Sequence, residues 1–161
     1  MIVHAGLIAR RIGGPWRGVL IEGLSGGGKS DLALRALDHG FVLVADDRVR
    51  LFTSEGRLFG RAPEPLAGLI EARGVGILRR PFLPFAAVTL VVRCVAEPAA
   101  VERLPEPGRA EHLGVTLPAI DIWPFEPGAP GKLAAALERL GAGARQGYEA
   151  RFAPPSGREG A

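Results

Sequence analysis

The stretch GVLIEGLSGGGKSDLALRALDHGFVLVADDRV, residues 18–49, decides the fold. The apolar residues at 17–22 predict a central β-strand, and a glycine-rich turn follows it. Leucines and alanines predict a helix over about 29–38, ended by Gly40 in a left-handed turn. The β-branched run at 41–45 predicts a buried strand parallel to the first one. We therefore expect an α/β protein with a βαβ unit and a right-handed crossover.

The sequence on either side of this unit predicts more strands than helices. Residues 1–142 are expected to form one domain, a P-loop-containing mixed β-sheet flanked by helices. Residues 143–161 are rich in glycine, proline and arginine and have no apolar period, so they predict a flexible tail. Further strands are expected at 2–9, 48–53, 57–61, 75–79, 86–95 and 116–122, and helical segments at 64–74 and 131–140. The residues SEG at 54–56 predict a hairpin between the strands at 48–53 and 57–61.

The composition limits the function classes. The 161 residues are 47% hydrophobic and 23% charged, which is typical of one soluble globular domain. No apolar run approaches the roughly 20 residues that cross a bilayer, and the N-terminus lacks the features of a signal peptide. The arginines are scattered without interleaved aromatic residues, and the single Cys94 excludes an internal disulfide. We expect a cytoplasmic protein that binds neither nucleic acid nor membrane.

The segment GLSGGGKS fits the Walker A pattern G-x-x-x-x-G-K-[ST]. Glycines let backbone N–H groups close around an anion, and the following helix directs its unpaired N–H groups at the phosphates. Lys29 is expected to bridge the β- and γ-phosphates of ATP, and the Ser30 hydroxyl to bind Mg²⁺. The loop predicts a nucleotide but no particular reaction, because many enzyme classes share it. The expected nucleotide-binding residues are Gly23, Leu24, Ser25, Gly26, Gly27, Gly28, Lys29 and Ser30.

Two adjacent carboxylates, Asp46 and Asp47, follow the predicted strand at 41–45. A carboxylate at the C-terminal end of a strand beside the phosphate strand can reach a metal ion or its water shell. Neighbouring residues of an extended chain point to opposite faces, so the two aspartates cannot have the same role. One is expected to face the metal and the nucleophile, and the other to hold Arg48 or the loop. Taken alone, the segment also suits a polar turn.

Residues 18–49, together with IEARGVGI at 70–77, closely resemble the catalytic domain of the HPr kinase/phosphorylase family. That family joins a phosphate loop to V-A-D-D-x-V and later carries E-x-R-G-x-G, which appear here as VADDRV and EARGVG. The resemblance covers about residues 3–140 and implies a short form consisting of the C-terminal catalytic domain, related to the nucleotide domain of phosphoenolpyruvate carboxykinase. It implies an ATP- and Mg²⁺-dependent serine kinase acting on HPr or an HPr-like phosphocarrier of a regulatory phosphotransferase system.

The resemblance also implies roles for single residues. Asp47 resembles the general base of the kinase reaction, which would act as general acid in the reverse, phosphorylase reaction. Glu71 resembles a second magnesium ligand, beside Ser30 and Asp46. Taken alone, Glu71 suggests an exposed helix charge, and Arg103 a surface residue. The implied catalytic residues are Asp47, Lys29, His4 and Arg103, and the implied catalytic segment is Glu71, Ala72, Arg73, Gly74, Val75, Gly76 and Ile77.

The sequence departs from the long family members in two places. Their loop before the last helix is basic and supports dephosphorylation, whereas WPFEPGAPGK at 123–132 has no arginine. The phosphorylase reaction is therefore less firmly implied than the kinase reaction. The C-terminal helical region is shorter here, so the resemblance allows a homo-oligomer, either a trimer or a hexamer, without requiring one.

Two other functions stay open from the residues. A small-molecule kinase would need a lid with clustered arginines, and Arg79–Arg80 is the one pair near the middle of the chain. A regulatory nucleotide-binding module would bind ATP and a partner but transfer no phosphate. The modified partner, or its absence, distinguishes these functions from the kinase.

Overall fold

The structure is a computed structural model, and it describes residues 1–141. The predicted tail at 143–161 lies outside the described residues. Within residues 1–141, the chain is mostly β-structure with two α-helices. The strands are β1 Ile2–Val3, β2 Gly6–Arg11, β3 Trp16–Glu22, β4 Val42–Ala45, β5 Val49–Ser54, β6 Arg57–Arg61, β7 Leu69–Ala72, β8 Gly76–Arg79, β9 Ala86–Cys94, β10 Gly108–His112 and β11 Val115–Ile122, and the helices are α1 Lys29–Ala36 and α2 Ala129–Arg139.

One mixed sheet of nine strands dominates the fold, in the order β1-β5-β6-β9-β3-β2-β4. Strand β9 pairs in parallel with β3 on one side. On the other side it pairs in parallel with β11 and antiparallel with β6. Strand β10 extends this branch by pairing with β11. Strands β7 and β8 form a separate two-stranded sheet. The strand that precedes the glycine-rich loop, β3, thus lies near the centre of the large sheet.

The predicted βαβ unit is wrong in one respect. Strands β3 and β4 run in the same direction, but β2 lies between them and pairs antiparallel with both. The reason is the N-terminal segment, which forms a hairpin with β3 through a tight turn at 12–15. The predicted strand at 2–9 is interrupted for a related reason: Val3 pairs with Val49 of β5, whereas Gly6 already pairs with Ile21. The parallel neighbour of β3 is therefore β9.

The helix predicted at 64–74 is also wrong. A 3₁₀ turn at Glu64–Leu66 leads into β7, which forms a hairpin with β8. Ile70 and Ala72 are buried while Glu71 between them is exposed, which is the period of two of a strand. Ile70 packs in the same apolar cluster as Leu32 of α1. Glu71 is therefore a strand residue and not an exposed helix charge.

Several local predictions are confirmed. The β5–β6 hairpin turns at Glu55 and Gly56, both with positive φ, as expected for a two-residue hairpin loop. Gly40 follows α1 and a 3₁₀ turn with φ 82, the predicted left-handed end. The predicted strands near β8, β9 and β11 and the terminal helix are present. Strand β10 was not predicted.

Two apolar clusters fill the two faces of the large sheet. Both helices cover one face, where Leu32 and Leu133 pack against Ile21 of β3. On the other face, Leu20 of β3 packs in a cluster with Leu51 of β5, which shows how the sheet curls over itself. Burial on both faces holds β3 in place, so the loop after it starts from a rigid base. Neither α-helix within residues 1–141 has the length and apolar content to span a membrane.

Candidate active site

Three separate segments form most of the lining of a cavity of about 400 Å³ beside the C-terminal end of β3, and His4 and Phe125 complete it. The glycine-rich loop and the first turn of α1 form one wall. The end of β4 and the turn between β7 and β8 form the others. The loop and α1 contribute Ser25, Gly26, Gly28, Lys29, Ser30 and Asp31. The remaining lining residues are Asp47, Glu71, Arg73, His4 and Phe125.

The backbone of the loop suits an oxyanion. Gly26 and Gly28 have φ of 73 and 96, a region that side chains with Cβ rarely adopt. The Gly27 N–H donates to the Leu24 carbonyl at 2.9 Å and closes the loop. Gly28 caps α1 without a side chain, and no side-chain hydrogen bond satisfies the first turn. The N–H groups and the positive dipole end of α1 therefore remain available to an anion at the cavity wall.

Gly28 is also required by space. A Cβ at this position would lie 2.8 Å from Cζ of Phe125 and 3.0 Å from Cγ of Pro124. Arg35 holds this neighbouring segment, because its guanidinium donates to the Pro124 carbonyl and, at 3.1 Å, to the Glu126 carbonyl. Helix α1 thus fixes both the loop and the Phe125 side of the cavity.

Lys29 is buried, with 6% of its surface exposed. Its ammonium group donates to the carbonyls of Gly23 and Leu24 at 2.9 and 2.7 Å. These bonds satisfy the buried charge and hold it at the cavity. Burial raises the pKa of the nearby Cys94 thiol to about 11, although Lys29 acts in the opposite direction. The thiol therefore stays protonated at neutral pH, as expected for a structural cysteine and not for a nucleophile.

Asp46 links the three segments beneath the cavity. Its carboxylate accepts hydrogen bonds from the Ser30 hydroxyl at 2.8 and 3.0 Å and from the Glu71 N–H at 3.1 Å. Only 4% of the residue is exposed. Burial raises the pKa of Asp46, and the charge of Asp47 raises it further. The hydrogen bonds from Glu71, Ser30 and the Asp47 N–H lower this pKa but do not outweigh the effect of burial. One carboxylate therefore sets the relative positions of the loop, β4 and β7.

The oxygen groups around Asp46 fit Mg²⁺ in chemical type. Ser30, Asp46 and Glu71 offer hydroxyl and carboxylate oxygens, the ligands that this ion prefers. Within residues 1–141, no group of three or more acidic, histidine or cysteine side chains is placed to hold a metal ion by itself. Mg²⁺ is usually held by one or two carboxylates plus substrate phosphates, so such a group is not required. The set therefore fits an ion whose coordination a bound nucleotide completes.

We expect Asp46→Asn to change the pH dependence of stability. Because burial raises the pKa of Asp46 above its ordinary value of 3.8, the folded wild type binds this proton at higher pH than the unfolded chain. The free energy of unfolding of the wild type should therefore rise relative to Asp46→Asn as pH falls through the folded pKa, and level off below 3.8. Urea denaturation of both proteins in EDTA across acid and neutral pH measures this difference. A flat difference, or one of opposite sign, would contradict the prediction.

Asp47 has a different environment from its neighbour. Its φ is 65, and the Arg48 N–H donates to the Asp46 carbonyl at 2.7 Å, which closes a three-residue turn around it. The carboxylate lies 3.4 Å from Nδ1 of His4 and 3.8 Å from Nε of Arg48, and the side chain is 56% exposed. The two aspartates therefore differ in surroundings, as expected. The tight turn, and not extended chain geometry, separates them.

The structure brings most of the predicted site residues together. Arg103 is the exception among the predicted catalytic residues, because it is exposed in the irregular segment between β9 and β10 and does not line the cavity. Asp31 and Phe125 line the cavity but were missed, since neither belongs to a motif. Asp46 lies beneath the cavity and does not line it. The other predicted residues that do not line the cavity are Gly23, Leu24, Gly27, Ala72, Gly74, Val75, Gly76 and Ile77.

The fold and the cavity together define a class of protein. It is a mixed α/β domain in which a glycine-rich loop between a strand and a helix faces carboxylates from two other segments. The family model described as HPr Serine kinase C-terminal domain matches residues 8–82 of this chain. The resemblance seen in VADDRV and EARGVG is thereby confirmed.

Individual relatives agree with this match. The chain is 36% identical over 98 residues to the HPr kinase/phosphorylase of Clostridium tetani. This alignment covers 61% of this chain and 32% of that protein. It is 52% identical over 62 residues to the HPr kinase/phosphorylase of Leptothrix cholodnii. This second alignment covers 38% of this chain and 19% of that protein. The matched segments thus span a third or less of these relatives.

A solved structure matches almost the whole chain. The structure of the HPr(Ser) kinase/phosphatase from Coxiella burnetii superimposes with a TM-score of 0.71 at 28% sequence identity. The match covers 94% of this chain and 94% of that chain. The predicted mixed α/β fold class is therefore confirmed.

Proposed function

We propose that this chain is an ATP- and Mg²⁺-dependent kinase that phosphorylates a serine of HPr or of an HPr-like phosphocarrier protein. The observation that carries the proposal is the convergence of the uncapped start of α1, Asp47 and Glu71 on one cavity. The names of the relatives support HPr as the acceptor. The proposed use of ATP would suit a cytoplasmic location.

The loop Gly23–Ser30 would hold the phosphates of ATP through its N–H groups, and Lys29 would contact the β- and γ-phosphates. Ser30 and Glu71 would hold Mg²⁺, with Asp46 beneath them to orient the Ser30 hydroxyl. When bound, Mg²⁺ neutralises charge on the phosphates. The buried position of Lys29 strengthens its attraction to the transferred group, because water screens it less.

Asp47 would act as the general base. The acceptor serine oxygen forms a bond to the γ-phosphorus while the bond from that phosphorus to the β–γ bridging oxygen breaks, and ADP leaves. The hydroxyl proton passes to the Asp47 carboxylate. His4 and Arg48 lie against this carboxylate and would keep it directed into the cavity. Arg73, at the same cavity, would contribute positive charge to bind the phosphates.

We infer that the kinase direction predominates. The loop before α2 contributes Phe125 to the cavity, not a basic side chain. Glu126 of the same loop pairs with Lys132 at 2.5 Å, and neither side chain lines the cavity. The segment at 123–132 therefore brings no positive charge to the cavity lining to attract inorganic phosphate, which the reverse reaction would consume.

Incubation of the purified chain with ATP, Mg²⁺ and the HPr protein of the same organism tests the proposal. We expect intact-mass measurement to show one added phosphoryl group on HPr, peptide mapping to place it on a serine, and EDTA to abolish the transfer. ADP release that depends on a metabolite and needs no protein acceptor would favour a small-molecule kinase instead. Nucleotide binding that leaves the partner unmodified would favour a regulatory module.

A further inference from the structure

A second cavity, of about 560 Å³, lies at the opposite end of β3 from the glycine-rich loop. The first residues of β3 and β6 and the start of β9 line it, together with the segment that ends α2. None of its lining residues lines the candidate active site. It is therefore a separate feature of the molecule.

Arg17 is the unusual residue in this cavity. It is only 6% exposed, and its Nε is fully buried without a hydrogen-bond partner among residues 1–141. No ion pair within the described residues involves its guanidinium, which carries five donors. Burying a charged group without a partner is costly, so native proteins retain such groups rarely and usually for a reason. The buried Nε of Arg17, at the wall of a cavity, therefore has an unused donor that an oxyanion could satisfy.

A second cation lines the same cavity. Arg57 of β6 lies across β9 from Arg17, and burial and then repulsion from Arg57 lower the pKa of Arg17. An arginine remains charged even so. The other lining residues include the hydroxyl of Thr89 and apolar groups, but no carboxylate. Two positive charges without an acidic partner create a positive potential inside a partly enclosed space.

The C-terminal end of α2 does not provide a hydrogen-bond partner for Arg17. Leu140 and Gly141 line the cavity, and the partial negative charge of a helix C-terminus attracts a nearby arginine. The N–H groups of these two residues donate to the carbonyls of Ala136 and Leu137, and no group within residues 1–141 accepts a hydrogen bond from Nε of Arg17. The dipole offsets part of the cost of burial without satisfying the donors.

We propose that Arg17 and Arg57 form a binding site for a small phosphate- or carboxylate-bearing anion, distinct from the kinase site. The planar guanidinium of Arg17 presents paired donors that match the geometry of phosphate and carboxylate oxygens. Arg57, more exposed at the rim, attracts the anion and adds a second contact. The cavity accommodates a molecule larger than inorganic phosphate, and its apolar walls suit an organic body attached to the anionic group.

Inorganic phosphate tests the site when the phosphate loop is weakened. In full-length Lys29→Met protein, we expect phosphate to raise the midpoint of thermal unfolding, with potassium chloride at equal ionic strength as reference. Adding Arg17→Met should weaken the apparent phosphate affinity at least about tenfold. Arg57→Gln should weaken it in the same direction, whereas Arg61→Gln, an exposed arginine of the same strand outside the cavity, should not.

Arg17→Met carries a second expected readout. Without phosphate, this variant should be at least as stable as its parent, because methionine fills similar space without a buried, unpartnered charge. A purely structural arginine would show the opposite, a loss of stability with phosphate binding unchanged. If Arg17→Met fails to fold, Arg57→Gln still tests the site, since Arg57 is exposed. These outcomes do not depend on whether the chain phosphorylates HPr.

Two results would overturn the proposal. The first is phosphate binding that neither Arg17→Met nor Arg57→Gln weakens. The second is phosphate binding that appears only after Glu149→Gln and Glu159→Gln are introduced together in the full chain, which would identify a carboxylate of the chain itself as the occupant. Citrate titrated in parallel shows whether the site prefers phosphate or carboxylate.

Discussion

Asp47→Asn is expected to slow the phosphorylation of HPr by about 10²–10⁴-fold, because the amide cannot accept the proton of the acceptor serine. ATP binding should change little, since the carboxylate is placed to act on the acceptor and the loop is untouched. Asparagine tolerates the left-handed conformation that Asp47 adopts, with φ 65, so the turn should persist. Initial rates of phosphoserine formation, measured beside nucleotide titrations, separate the two effects.

Asp31→Asn is the matched control for this variant. Asp31 lines the same cavity and loses the same charge, but it pairs with Arg35 one helical turn away at 3.0 Å. Its rate should stay close to that of the wild type. If Asp47→Asn transfers phosphate at the wild-type rate, or if both variants lose activity equally, Asp47 is not the base.

Lys29→Met should have the second large effect, on nucleotide binding. A charge-assisted hydrogen bond contributes about 1.5–3 kcal/mol, so ATP should bind roughly 10- to 100-fold more weakly. Phosphate transfer should slow further, because Lys29 would also neutralise charge that develops on the transferred group. Methionine retains the apolar stem of the buried lysine and so limits the change in packing. Calorimetric titration with Mg²⁺–ATP measures the affinity, and a thermal unfolding scan confirms folding.

The chain offers a control in its other lysine, Lys132. Its side chain is 60% exposed and pairs with Glu126 outside the cavity lining. Lys132→Met removes the same formal charge, so it shows how much of the effect comes from net charge alone. Equal ATP affinity in the two variants would show that Lys29 does not contact the phosphates.

Sequence reasoning was most successful where the relevant interactions are local. The β5–β6 hairpin was predicted because Glu55 and Gly56 suit its turn. Strand β9 was predicted because a long apolar run rich in valine is typical of a buried strand. It failed at 64–74, where the alternation of Ile70, Glu71 and Ala72 is too short to outweigh a helical interpretation. Strand β10 was missed because its residues, GRAEH, are mostly polar and pair only with β11.

The residues of the candidate site likewise fall into those that local sequence motifs revealed and those that long-range packing placed. The glycine-rich loop and the acidic pair were found because each is contiguous in sequence and has a recognisable spacing. Asp31 and Phe125 carry no such pattern, and their places depend on how Arg35 holds the segment before α2. The separation of Arg103 from the cavity was equally invisible, because it depends on the path of a long irregular connection.

The sequence by itself determined the glycine-rich loop, the strand before it, the helix after it and the resemblance to HPr kinase/phosphorylase. These depend on local backbone requirements, since left-handed glycines and a lysine at a fixed offset must be adjacent along the chain. Only the tertiary structure decided that β2 separates β3 from β4, that Asp46 joins Ser30 to Glu71, and that Arg17 is buried near Arg57. Each of these depends on which distant segments pack together to bury apolar surface, and many pairings satisfy the same local pattern.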